Sequence, residues 1–544
     1  MTDDVFDYIV VGAGSAGCVL AGRLSEDARI RVLLLEAGGS DRKPWIRVPI
    51  GYARSYTDPS VNWRYETEPD PGLLGRTSYW PRGKVLGGSS SINALVYCRG
   101  LPADYDDWRD AGNPGWGWAD SEPVFRGFER RMQPDGTVIG DGPLCIADRE
   151  PEYHPLKRHF YAAAEEMGYR TIDLNGADPD GVGAYAITTR HGLRWSASDA
   201  FLRPAMSRPN LVVRTGVFAE RIAFSGSRAS GVVCRDGQAS RTYTCRREVI
   251  VAGGAVNSPK LLQLSGIGPG ALLASLGIGV VHANAAVGGG LQDHLGVNYY
   301  YAATEPTLNN VLGTRIGQVR AALEFLLFRS GPLSLSVNQM GGLVRSSPAK
   351  AQPDIQLYFN PLSYLTDGIK PRKLLRPDRF PGFIFGFNPC RPTSRGRIDI
   401  GSPDPQAPPR IMPNSLATDH DLADVLAGAR LIARFQQTAG LRRLIDRLTR
   451  FDPAHATDDE IIADFRARCG TVYHPCGTCR MAPEADGGVV GPDLRVHGVE
   501  GLRVADASVF PNITSANTNA PTLLVAHKAA QAILAQQRAT LPAN

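Results

Sequence analysis

The strongest constraint on this fold is a short passage near the start of the chain. The β-branched run Tyr8-Ile9-Val10-Val11 leads straight into Gly12-Ala13-Gly14-Ser15-Ala16-Gly17, and then into a helical period through Val19, Leu20, Ala21 and Leu24. A second apolar run, Arg31-Val32-Leu33-Leu34-Leu35, ends in Glu36-Ala37-Gly38-Gly39. Strand, G-x-G-x-x-G turn, helix and second strand closing on an acid make a β-α-β unit of about 30 residues suited to a dinucleotide. Gly12 permits the tight turn, Gly14 lets the backbone approach a pyrophosphate, and Gly17 lets the helix pack close to the strand. The helix N-terminus offers its N–H groups and positive dipole end to the phosphate. Glu36 can accept both hydroxyls of an adenine ribose and would repel a 2′-phosphate, which favours FAD or NAD over NADP. The competing reading, a glycine-rich turn without a ligand, leaves the acid at the end of the second strand unexplained.

Further glycine clusters also sit beside apolar runs. Trp80-Pro81-Arg82-Gly83-Lys84-Val85-Leu86-Gly87-Gly88-Ser89-Ser90-Ser91-Ile92-Asn93 is a loop exposing many backbone donors before residues 94–97. Residues 195–255 read as strand-rich, with strands at 210–214, 231–234 and 248–252 bounded by turn residues. The last runs into Gly253-Gly254 and a helix at 260–264. From about 300 to 470 the texture changes to amphipathic helices (315–328, 421–435, 458–467) and alternating strands. In 354–360, Ile355, Leu357 and Phe359 face one way and Gln356, Tyr358 and Asn360 the other, while 382–388 puts Phe383, Phe385 and Phe387 on one face. Such a sheet suits the wall of a substrate pocket, although any one strand also reads as plain core. The C-terminus returns to strand (502–506), loop, and a long helix from Pro521.

With 544 residues, three or four domains would be ordinary. The spread of the cofactor segments reduces this to two interwoven ones: 1–150, 195–300 and 480–544 binding the cofactor, and 151–194 with 301–479 binding substrate. The fold class is α/β, a Rossmann-like domain joined to an α+β domain on an antiparallel sheet. A formal charge of +5 is too dilute for a nucleic-acid footprint. No apolar run approaches the roughly 20 residues that span a bilayer, and the acidic N-terminus lacks the basic start of a signal peptide. We expect a cytosolic protein, with peripheral attachment to the inner membrane through a quinone partner left open. Nine cysteines scattered from Cys18 to Cys479 form no disulfide framework.

Taken together, these segments resemble the glucose–methanol–choline (GMC) flavin oxidoreductases. Residues 83–97 match the family's first signature, residues 254–268 its second, and residues 12–36 its FAD fingerprint. Val472-Tyr473-His474-Pro475-Cys476-Gly477-Thr478-Cys479-Arg480-Met481 and Asn517-Thr518-Asn519-Ala520-Pro521-Thr522 match its C-terminal motifs. The resemblance spans essentially the whole chain and is strongest to the bacterial choline dehydrogenase and alcohol dehydrogenase branch. It implies FAD, held by Gly12, Gly14, Ser15, Ala16, Gly17, Glu36 and Ala37 at its adenosine and pyrophosphate end. It also implies contacts from Gly83, Val85, Gly88, Ser89, Asn93, Ala94 and Val96 near the isoalloxazine, and from Ala219, Asp506, Ala507, Asn517 and Thr518. Members with covalently attached flavin carry His where this chain has Ile92, so the FAD is expected to be non-covalent. A second departure is Gly290, where the family has Asn before Leu291-Gln292-Asp293-His294; a more mobile loop is expected there.

Alcohol oxidation needs a base for the hydroxyl proton and an acceptor for the hydride. Imidazole, with an ordinary pKa near 6.5, can take the proton when neutral. By the resemblance the base is His474 and the group fixing the hydroxyl is Asn517, preferred over Asn519 on its spacing to the following helix. His294 is read as structural and His527 as helix surface. Cys476 and Cys479 form a C-x-x-C with no second pair at metal-ligand spacing, so no metal is expected. Gly266-Ile267-Gly268 follows a helix rather than a strand, so a second nucleotide fingerprint is lacking and electrons should leave to a quinone-type acceptor or to O2. The leading expectation is a dehydrogenase oxidising a primary alcohol to an aldehyde. Alternatives are a peroxide-forming oxidase, a lyase or photodecarboxylase on the same scaffold, and a silent flavin binder. Choline would need a cage, for which Tyr358, Phe359, Tyr364 and Asp367 are candidates.

Overall fold

In the computed structural model, which describes residues 4–365 and 376–540, two sheets carry the architecture. Val5–Val11 lies parallel to Val32–Glu36 on one side and to Ala239–Val251 on the other. Leu211–Thr215 extends the sheet beyond Val32–Glu36, and Leu502–Val504 joins it in parallel along Ala239–Val251. Arg228–Asp236 and Val217–Ser225 continue it as antiparallel strands. The central strands are buried along almost their whole length, as expected of a parallel sheet covered on both faces, which explains their unbroken apolar runs. Helix Ser15–Leu24 packs on the first two strands and against the terminal helix Asn519–Thr540.

Two elements here differ from expectation. The strand expected at 248–252 is the end of a longer one, Ala239–Val251, whose first half is largely exposed and polar because it forms a hairpin with Arg228–Asp236. The helix expected at 260–264 begins at Gly254 and contains Pro259. Proline cannot donate to the carbonyl four residues back; the hydroxyl of Thr478 donates to that carbonyl, Ala255 O, at 2.7 Å instead.

The second sheet is antiparallel and runs Ile445–Leu448, Leu295–Ala303, Gly382–Pro389, Ile355–Asn360, Met340–Val344, Gly181–Ala184. Phe359, Phe383 and Phe385 face a core closed by Phe160 and Phe435 from the helices Lys157–Glu166 and Asp419–Gln437. Asn298, Tyr300, Tyr358 and Asn360 face a large cavity, so one face is core and the other pocket wall. The expected domain boundary at 300 falls inside Leu295–Ala303, all of which pairs within this sheet; Tyr299-Tyr300-Tyr301 carries no turn signal there. The α/β class with an added antiparallel sheet stands as read.

His527 is a correction. It is buried against Phe128, with ring centroids 4.8 Å apart, because the terminal helix also packs on Trp118–Phe128.

Candidate active site

Between the two sheets lies a cavity of about 2130 Å³, beyond the roughly 300–1,000 Å³ usual for one small ligand. Gly12, Gly14, Ser15 and Ala16 line one end with Glu36, Ala37 and Ala219, while His474, Asn517 and the second sheet line the other. The first helical turn has no internal partner for its N–H groups, and its residues Ser15 and Ala16 line this space. Close packing makes the turn possible: a Cβ on Gly17 would lie 1.8 Å from Gly12 O. Glu36 accepts from the N–H of Ala13 at 2.9 Å and of Gly38 at 2.7 Å. Burial nevertheless raises its pKa to about 7. Its remaining lone pairs are free for hydroxyl donors.

The 88–93 loop abuts this turn. Gly87 N donates to Ala13 O at 2.8 Å, and a Cβ on Gly88, whose φ is +52°, would lie 2.6 Å from Gly14 Cα. The loop is clamped by Arg194, which is fully buried and donates to Ile46 O, Ser90 O, Asn93 Oδ1 and Asn93 O at 2.7–3.1 Å. With no carboxylate among these partners, burial lowers the Arg194 pKa to about 9. Asp506, also on the cavity wall, accepts from Gly254 N at 2.8 Å and Ser258 Oγ at 2.5 Å. A helix N-terminus, a buried carboxylate with lone pairs to spare and a polar glycine loop along one wall fit the FAD that the resemblance implies.

The far end holds an ordered chain of hydrogen bonds. His294 Nε2 lies 2.8 Å from Cys390 O. A carbonyl only accepts, so Nε2 carries the proton. Burial draws the His294 pKa down to about 4, leaving the ring neutral and its Nδ1 an acceptor. That Nδ1 is 2.9 Å from His474 Nδ1, which must therefore be the donor. The lone pair of His474 is consequently on Nε2, 3.0 Å from Asn517 Nδ2. Gln356 Nε2 donates to Asn517 Oδ1 at 3.3 Å and fixes which end of the amide faces the imidazole. Desolvation, then the neighbouring His294 and Arg82, holds the His474 pKa well below 6.5. The buried ring is a neutral acceptor at pH 7.

The backbone around His474 is under constraint. Tyr473 has φ +69°, an unfavourable region for an aromatic residue that costs about 1–3 kcal/mol. Thr471 Oγ1 accepts from Tyr473 N at 2.8 Å, Arg82 donates to Tyr473 O at 2.7 Å, and Asp293 Oδ1 accepts from His474 N at 2.7 Å. Burial raises the Asp293 pKa to about 6.

Most of the expected site residues line this cavity, including Gly83, Gly88, Ser89, Asn93, Ala94, Val96, Asp506, Ala507, Asn517 and Thr518. Gly17 and Val85 do not: Gly17 acts behind the turn, and the Val85 side chain packs with Ile46, Val61 and Ile92. Asn519 instead accepts from Ser15 Oγ at 2.7 Å. The segment with Gly290 is held rather than loose, since Gln292 and Cys476 exchange backbone hydrogen bonds of 3.0–3.1 Å. Cys476 and Cys479 are buried free thiols, and the described residues contain no cluster suited to a metal. The choline cage does not assemble as expected. Tyr358 and Tyr364 line the cavity, Phe359 turns into the core, and Asp367 lies outside the described residues. Asp293, His294, Arg194 and Gln356 were missed as functional residues. Leu291-Gln292-Asp293-His294 was the visible signal for the first two; Arg194 had none.

A family model described as GMC oxidoreductase matches residues 6–296, and its C-terminal counterpart matches residues 392–526. An "Alcohol dehydrogenase [acceptor]" from Pseudomonas putida is 40% identical over 538 residues, covering 97% of this chain and 96% of its own. The mitochondrial choline dehydrogenase of Homo sapiens is 41% identical over 544 residues, 98% of this chain and 90% of its own. A formate oxidase structure from Aspergillus oryzae, concerned with FAD modification, aligns at a TM-score of 0.91 and 26% identity, covering 99% of this chain and 100% of that one.

Proposed function

This chain belongs to the GMC oxidoreductase family, and from that membership we propose that it oxidises a primary alcohol to an aldehyde with non-covalently bound FAD, passing the electrons to a quinone-type acceptor. Bound FAD supplies the hydride acceptor at N5. The chain from Cys390 O through His294 and His474 to Asn517 carries the reading. A substrate hydroxyl entering between His474 Nε2 and Asn517 Nδ2 donates its proton to the imidazole and accepts from the amide, which holds the carbon hydrogen in one direction. His294 Nδ1 then accepts from the imidazolium that results. Tyr300 and Tyr358 of the second sheet line the cavity with Tyr364, an aromatic wall that supports an aliphatic or aryl alcohol at least as well as a quaternary ammonium. Ile92 in place of an attaching His supports dissociable FAD. Likeness to the Pseudomonas putida alcohol dehydrogenase supports a dehydrogenase over an oxidase.

Anaerobic addition of aliphatic, aryl and amino alcohols to the holoenzyme tests the reading by loss of the oxidised flavin band. We expect bleaching by uncharged primary alcohols and its near abolition in His474→Ala. Persistence of the band across the panel, or bleaching unchanged in His474→Ala, overturns the reading. Comparison of turnover with O2 and with a quinone dye separates dehydrogenase from oxidase.

A further inference from the structure

Arg315–Phe328 is apolar around nearly its whole circumference. Such a helix ordinarily belongs in an interior. Ala321 and Phe325 are indeed buried against the protein, yet Ile316, Val319, Leu323, Leu326, Leu327 and Phe328 are 53–85% exposed. Ile316, Val319, Leu323, Leu326 and Leu327 fall at helical spacing on the face opposite Ala321 and Phe325. A contiguous stripe of this kind on a water-facing surface marks an interaction site. No helix among the described residues is long and apolar enough to cross a membrane, and this one, about 21 Å long, is no exception.

Its position and charge indicate what covers it. Arg315, Gln318 and Ala322, on the flank of the helix, line the catalytic cavity, so the stripe adjoins the cavity mouth. Arg54, Arg376 and Arg379 also line the cavity and are exposed. Trp45, 44% exposed, stands at the same opening under the Arg54 guanidinium, 3.8 Å from its ring. Arg315 and Arg320 on the helix, with Arg329 just past its end, bracket the stripe, while the helix's one acid, Glu324, accepts from Ser330. A second copy docking this face on itself would bring like charges together. An anionic headgroup layer would neutralise them and receive the apolar side chains.

We propose that Arg315–Phe328 lies in the plane of an anionic lipid surface, its outward stripe in the acyl boundary and the arginine-rimmed mouth of the catalytic cavity facing the bilayer. An outward apolar face rimmed by basic side chains combines burial of apolar surface with attraction to anionic headgroups. It places an apolar electron acceptor dissolved in the membrane within reach of the cavity, and goes beyond the reading of the reaction.

Co-sedimentation of the FAD-loaded protein with vesicles tests the proposal, using phosphatidylcholine alone and phosphatidylcholine containing phosphatidylglycerol. Binding is expected to the anionic vesicles and to weaken with salt. The combined variant Ile316→Ser, Leu327→Ser and Phe328→Ser should lose at least about tenfold in partition, and Arg320→Gln about fivefold. These side chains point to solvent and lie off the cavity lining, so alcohol-driven flavin reduction in detergent-free buffer should be unchanged and serves as the folding control. Absence of binding to anionic vesicles, or equal binding by the triple variant, overturns the proposal. So does a concentration-dependent dimer, seen by sedimentation without lipid, that the same substitutions abolish.

Discussion

Replacing His294 by Leu tests the hydrogen-bond chain directly. The side chain is fully buried and bridges Cys390 O and His474 Nδ1. Leucine fills similar space but neither accepts nor donates. Two losses follow. In the resting protein Cys390 O is left without this donor and His474 is free to place its proton on either nitrogen. As the substrate proton is transferred, the His474 imidazolium loses an acceptor for Nδ1–H. A hydrogen bond to a charged group is worth about 1.5–3 kcal/mol, so kcat/KM should fall about 10- to 150-fold. The fall should appear mainly in kcat, because the interaction strengthens as charge develops. His294→Gln offers an amide oxygen to His474 and an amide N–H to Cys390 O, and should recover much of the loss. Flavin content and thermal denaturation of each variant show that the fold survives. Activity of His294→Leu within about threefold of the parent, with full flavin content, would refute the reasoning, as would His294→Gln no better than His294→Leu.

Other consequences are equally open to measurement. Because His474 must be neutral to act and its pKa is held well below 6.5, kcat/KM should be flat near pH 7 and fall on acidification only below pH 6.5; an acid limb above that value contradicts the assignment. Gly17→Ala puts a methyl 1.8 Å from Gly12 O, a backbone atom that cannot yield without moving the turn, so the protein should lose FAD, read as absent flavin absorbance. Asn517→Ala removes the donor to the substrate oxygen and should cost about 10²–10³ in kcat, by analogy with other oxyanion donors, whereas Asn519→Ala, whose carboxamide holds Ser15, should weaken FAD retention on dilution and leave kcat of the loaded enzyme within about threefold. Arg194→Met removes the donors to Ile46 O, Ser90 O and Asn93 O and one of the two to Asn93 Oδ1, which keeps Leu95 N; a lowered melting temperature and weaker FAD binding are expected, and unchanged values for both would discount the clamp.

How far the sequence could be read followed from the range of the interactions involved. The nucleotide turn was legible because its requirements are local: two buried parallel strands, and glycines where backbone meets backbone. The aromatic alternation of 382–388 was legible for the same reason. His294 was not, because its role comes from a partner 180 residues away and a carbonyl 96 residues away. Gln356 was placed on the polar face of its strand, but nothing local indicates that this face meets Asn517, 161 residues on. The exposed first half of Ala239–Val251 reads as loop until its hairpin partner is known. His527 looked like helix surface because a helical wheel cannot show that two other helices close over it.

The nucleotide turn also bears on how the protein is made. Its cradle is complete only when Asn519 reaches Ser15, when Leu502–Val504 has joined the sheet, and when the terminal helix has packed on Ser15–Leu24. Roughly 500 residues separate Gly12 from Asn519, and at about 5–20 residues per second they take about 25–100 s to synthesise. In the second half of that interval, from the synthesis of Val251 to that of Leu502, the ribosome-bound chain carries a half-built sheet with an open edge at Val249–Val251. Cofactor loading in this chain is thus a post-translational event, and the nascent protein depends on whatever shields that edge until its final helix emerges.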